Sequence, residues 1–157
     1  MVTLTGTRAA TAFPVPGLPI PANCPGIAWG YYNVATAPSA ADVINICKLP
    51  ANSTVILGFI QAADLDTNAT ETLDIDVGWL GNGTDAADPD GFGNFGVLTG
   101  DAVAEFRPVA GIFLPFTNII QDSGYKTFAA ETTVTITFTG APATLTAGYI
   151  KVVIFYV

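Results

Sequence analysis

Apolar and polar residues alternate with a period of two along several stretches of the chain. In "TVTITFT" (133–139) Val134, Ile136 and Phe138 stand against four threonines, and in "TLDIDVGW" (72–79) Leu73, Ile75, Val77 and Trp79 stand against Thr72, Asp74 and Asp76. Side chains of an extended strand point alternately to its two sides. Each stretch therefore predicts a half-buried antiparallel strand, with Asp74 and Asp76 on the solvent side. "DVINICKLP" (42–50), "STVILGFIQ" (53–61) and "GYIKVVIFYV" (148–157) are apolar on both faces and rich in β-branched residues, as strands covered on two sides are. "PAN" separates the first two as a turn. "AADVINICKL" also fits a helical period, but its β-branched residues and the following proline favour a strand. Roughly six to nine strands joined by Gly, Pro, Asn and Asp turns predict an all-β antiparallel β-sandwich of jelly-roll type, with "VTLTGTRAATA" offering one edge strand.

The stretch "FPVPGLPIPANCP" (13–25) breaks this pattern. Proline at nearly every second position enforces extended or polyproline-like backbone and removes the amide donors that a central strand needs. The expected organisation is an extended N-terminal arm over residues 1–40 and a sandwich core over 41–157. Phe13, Val15, Leu18 and Ile20 are costly to leave in water, so the arm is expected along a neighbouring subunit or over its own sandwich. The scarcity of Ser, Lys and Glu argues against a solvated linker.

Composition sharpens the picture. A chain of 157 residues holds one domain. Half of it is hydrophobic and 11% is charged, well below the roughly 25% of soluble domains. Its longest apolar run, Val55 to Ile60, is far short of the ~20 residues that span a bilayer. A charge-poor, Thr-rich chain of this kind is expected to have much of its surface covered by other protein and to have no membrane partner. A net charge of -8, with five Lys and Arg in total, argues against nucleic acid as a partner. Neither a basic nor an apolar leader follows Met1, so synthesis in the cytosol is expected. Cys24 and Cys47 are read as unpaired, partly buried thiols, since a cytosolic setting keeps them reduced and two cysteines without histidine make no usual zinc site. The sequons at Asn52, Asn68 and Asn82 are read as unglycosylated.

The chain has no histidine, so neither a Ser-His-Asp nor a Cys-His arrangement can form, and no catalytic residue or cofactor is assigned. Lys48 and Lys151 lie within apolar strand patterns and read as edge or snorkelling positions, and Lys126 has no motif around it. A pair of carboxylates among Asp64, Asp66, Asp74 and Asp76 is the remaining catalytic chemistry, of the kind glycosidases use, but surface aspartates are far commoner. "DAADPDGFGNF" (85–95) offers Asp85, Asp88 and Asp90, with Asn94, as oxygen ligands for calcium. Its spacing fails the EF-hand pattern, and Asp-Pro and Asp-Gly are plain turn formers, so a polar turn is the favoured reading and no metal is assigned. Trp29, Tyr31, Tyr32, Trp79, Phe92 and Phe95 could instead stack on sugars in a carbohydrate-binding jelly roll, although core or interface packing is the expected use of such aromatics.

Several stretches together resemble a family of small β-rich virion proteins of tailed bacteriophages, encoded near the major capsid protein. They are "AADVINICKLPANSTVILGFIQAADLDTNATETLDIDVG", with its "KLP" turn, the loop "DAADPDGF" and the closing "AGYIKVVIFYV". The likeness covers about residues 40–92 and 145–157. The chain departs from it at Gly91, where relatives commonly carry Arg or a similar residue, and residues 13–25 and "GFGNFGVLTGD" have no counterpart. The resemblance implies a capsid decoration or cement protein on the outer capsid surface, with the major capsid protein and copies of itself as partners, and it carries over no catalytic motif. Symmetry favours a trimer at a local threefold axis. Another virion role, at a head-fibre base, vertex or neck, is the nearest alternative.

Overall fold

The computed structural model describes residues 2–6, 9, 24–98, 111–116 and 125–157. Among these residues the chain forms ten strands and no helix: β1 (Thr3–Thr5), β2 (Gly26–Val34), β3 (Val43–Leu49), β4 (Ser53–Ala63), β5 (Asp74–Trp79), β6 (Asp88–Val97), β7 (Gly111–Pro115), β8 (Lys126–Phe128), β9 (Thr132–Gly140) and β10 (Gly148–Tyr156). They build two sheets. Sheet A has the order β1-β3-β9-β5-β6, and sheet B the order β2-β10-β4-β7, with β8 beside β7 on the same edge of β4. From β2 onward the chain crosses between the sheets at almost every connection. This gives the interleaved pair of four-stranded layers that defines a jelly roll, with β1 added at one edge.

The alternation that predicts these strands also places the core. Ile75 and Val77 of β5, Val134, Ile136 and Phe138 of β9, and Ile150, Val152 and Ile154 of β10 are all buried between the layers. Each such side chain taken from water contributes about 1.5–3 kcal/mol. One end of the core is aromatic: Phe92 stacks on Phe116 at 5.0 Å, and Trp79 meets Phe92 and Phe128 edge-on at 4.9 and 5.1 Å. Gly58 is required beneath this cluster, because a Cβ there would enter the Phe116 ring.

The boundary expected at residue 40 does not coincide with the edge of the sandwich. β1 runs parallel to β3, as the predicted edge strand, and β2 pairs with β10 along its whole length. Both lie inside the stretch read as arm. β2 hides its amphipathicity by inverting size: its inward residues include Ala28 and Gly30, while Ile27, Trp29 and Tyr31 point out. Gly30 has to be small, since a Cβ would strike the Ile46 carbonyl of β3. Phe13, Val15, Leu18 and Ile20 lie outside the described residues.

Candidate functional site

The acidic stretch divides into a turn and a strand. Asn82 organises the turn: its Oδ1 accepts from the amides of Thr84 and Asp85, and its Nδ2 donates to Asp85 Oδ2 and Thr132 Oγ1. Lys126 of β8 then reaches over and places Nζ 2.7 Å from Asp85 Oδ1. The Lys126 and Asn82 hydrogen bonds hold the Asp85 carboxyl below its usual range. The same ammonium lies 5.3 Å from the Trp79 ring centroid and 5.1 Å from that of Phe128, and Trp79 Nε1 donates to Ala86 O. The turn thus clamps the aromatic end of the core.

Asp88 and Asp90 lie not in this turn but in β6, which corrects the reading of 85–95 as one polar turn. Between Trp79↔Asp88 and Val77↔Gly93 the register slips, and the bulged residues fold across β5. Gly78 and Gly91 permit this close approach, since a Cβ on the first would strike the Asp88 carbonyl and one on the second the Trp79 ring. Asp85 is therefore committed to a lysine while Asp88 and Asp90 belong to another element. Among the described residues no group of three or more Cys, Asp or Glu side chains stands close enough to hold a metal ion.

The bulge also corrects the position of Asp76. It points to the outer face of sheet A as the alternation predicts, yet it is buried, and its Oδ1 has no hydrogen-bond partner among the described residues. Burial, with the charges of Asp90 and Asp74 added, pushes its pKa up to about 6. Burial and the neighbouring Asp90 raise Asp88 as well. A carboxyl closed off in this way cannot reach a glycosidic oxygen. Asp66 is equally unsuited to acid chemistry: burial alone would raise its pKa, but amides donating from Thr72, Thr144, Ala143 and Asn68 outweigh it and hold it at about 2. Leu73 N adds a fifth donor.

The outer faces of the two sheets differ sharply. The outer face of sheet A carries half-buried Asn45, Thr137 and Asp74, with Thr135 and Asp76 buried among them. The strands of sheet B contain no Asp or Glu, and its outer face is aromatic. Cross-strand register sets two rows there: Trp29, Val153, Phe59 and Pro115, then Tyr31, Lys151, Gln61 and Phe113. Trp29 and Tyr31 lie nearly parallel at 6.5 Å, Phe59 and Phe113 are 4.7 Å apart, and Lys151 Nζ sits 5.7 Å from the Trp29 ring. Of the six aromatics considered for sugar stacking, only Trp29 and Tyr31 are exposed; Tyr32 and Phe95 are half-buried, and Trp79 and Phe92 belong to the core. Lys48 pairs with Glu131 at 2.9 Å at the surface. No disulfide joins Cys24 to Cys47, and Cys24 is exposed where partial burial is expected.

No protein-family model and no curated protein sequence matches this chain. Its fold is found in a chain of the capsid of Ralstonia phage GP4, with a TM-score of 0.74 at 21% identity over 99% of this chain and 97% of that one. A chain of the Cyanophage Pam1 capsid asymmetric unit gives 0.62 at 22% identity, covering 96% and 97%. One from the acidic stable capsid of the Helicobacter pylori bacteriophage KHP30 gives 0.50 at 16%, covering 85% and 90%. At these identities the likeness is one of fold.

Proposed function

We propose that this protein is a bacteriophage capsid decoration or cement protein, which binds the outer surface of the major capsid lattice and stabilises the head. The observation that carries this reading is the exposed aromatic face of sheet B, whose described strands hold no Asp or Glu, on a jelly roll shared over nearly its whole length with chains of phage capsids. A face of that kind is costly in water and gains its stabilisation against other protein. The net charge of -8 favours solubility before assembly and suits docking on basic capsid patches. Its partners are the major capsid protein and copies of itself, as a trimer at a local threefold axis. Phe13, Val15, Leu18 and Ile20 lie at the capsid or subunit interface, and the protein is made in the host cytoplasm and carried on the virion exterior.

Quantitative mass spectrometry of purified virions tests this. A copy number near that of the major capsid protein is expected; a few per cent moves the protein to a vertex, neck or fibre base. Absence from the particle abandons the virion role. The near-parallel rings of Trp29 and Tyr31 favour one second reading, a carbohydrate-binding module. A glycan array separates the two, since a cement protein shows no sugar preference.

A further inference from the structure

Asn-Gly occurs once in the chain, at Asn82 and Gly83, and it stands in the turn that clamps the aromatic end of the core. We propose that Asn82 is a site of spontaneous deamidation gated by the clamp of Asp85 and Lys126, and that the aspartate or isoaspartate it leaves keeps the turn from closing again.

The reaction needs only water. The Gly83 amide nitrogen attacks Asn82 Cγ and gives up its proton, the Cγ–Nδ2 bond breaks, and ammonia leaves a cyclic succinimide behind. Water then opens that ring at one carbonyl or the other, giving aspartate or isoaspartate at position 82. A side chain on the following residue crowds the attacking nitrogen, and here there is none. Gly83 is exposed, has a φ of 89°, and stands in open space, with nothing within 4 Å of the place a Cβ would take. The other asparagines among the described residues are followed by Val34, Ile46, Ser53, Ala69 and Phe95, each with a Cβ in the way.

The fold ties up the carboxamide that must react. Its Oδ1 accepts from the amides of Thr84 and Asp85 at 2.9 and 2.7 Å, and its Nδ2 donates to Asp85 Oδ2 at 3.1 Å and to Thr132 Oγ1 at 2.7 Å. Lys126 holds the other oxygen of the same Asp85 carboxylate. Attack therefore waits on a local opening of the turn, which these bonds oppose. The product cannot replace them. A carboxylate only accepts, while both partners of Nδ2 need a donor: Asp85 is ionised, and Thr132 already gives its hydroxyl proton to Ala130 O. Aspartate at 82 sets two like charges at hydrogen-bond distance, and isoaspartate also lengthens the backbone of the turn by a methylene. What goes with the turn is the cover over Trp79, whose Nε1 donates to Ala86 O and whose ring lies beside the Lys126 ammonium. The inference needs only the purified chain and stands apart from the virion role.

Ageing of the purified full-length chain in mildly alkaline buffer decides it, with peptide mapping by mass spectrometry to follow every asparagine. Asn82 is expected to convert roughly tenfold faster or more than Asn33, Asn45, Asn52, Asn68 or Asn94, to a mixture of aspartate and isoaspartate. Lys126→Met keeps an apolar stem beside Trp79 and Phe128 and removes the ammonium, so conversion at Asn82 is expected to quicken about threefold or more in a variant that circular dichroism shows to be folded. Urea opens the same gate in the wild type without any substitution and is expected to quicken it further. Asn82→Asp, the direct product, is expected to melt below the wild type. An Asn82 that ages no faster than the other asparagines overturns the site. One rate in the folded wild type and in urea, or in the folded wild type and a folded Lys126→Met chain, overturns the gate, and an Asn82→Asp chain that melts like the wild type overturns the loss of the turn.

Discussion

Five backbone amides converge on the Asp66 carboxylate, from Asn68, Thr72, Leu73, Ala143 and Thr144. The residue ties the β4–β5 connection to the β9–β10 connection, where Asp66 also bridges to Leu145. Asp66→Ala leaves those donors without their acceptor. It is expected to cost about 3 kcal/mol or more and to lower the melting temperature by roughly 10 °C, measured by thermal denaturation at neutral pH. Only one strand of this was legible in the sequence: an aspartate two residues before Asn68 is an Asx-turn signal. The contacts to Ala143 and Thr144 are nearly eighty positions distant, and no local pattern encodes them.

Among the elements, β3, β4, β5, β9 and β10 were legible because their inward residues are large and regularly spaced. β2 was not, since its large residues face outward, and β6 was hidden because glycine and proline in a bulged strand read as a turn. The error at Asp76 has the same origin. Alternation tells which side a residue takes, not what lies over that side, and the β6 bulge covers β5. The consequence is measurable. A carboxyl whose folded pKa is raised to about 6 from 3.8 opposes the fold only when ionised. The Asp76 contribution is therefore fully present below about pH 4, falls as pH rises to 6 and is then level, by a total of about 3 kcal/mol at most. Asp88, also raised, slopes the same way. Asp76→Asn is expected to melt higher than the wild type at pH 7 and to flatten most of the decline in a series of melts from pH 4 to 7.

The whole molecule is two-sided, with acid and threonine over sheet A and aromatic rings over sheet B. That sidedness could not be seen along the chain, because Trp29, Phe59, Phe113 and Lys151 come from four strands and become neighbours only in register. A sheet edge left bare is a place where chains adhere by backbone pairing, and here β1 matters beyond its three residues. It lies parallel along β3, with Asp42 accepting from the amide of Val2 and Val43 N donating to Val2 O. Without it β3 would be a long flat border strand, a template on which identical chains join by backbone pairing. Asp42→Ala is expected to loosen β1, to speed amide exchange along β3 and to raise light scattering with concentration, while an unchanged scattering curve would remove this role. The N-terminal strand is thus a selvedge, a finished border that keeps the sheet from being woven into its neighbours.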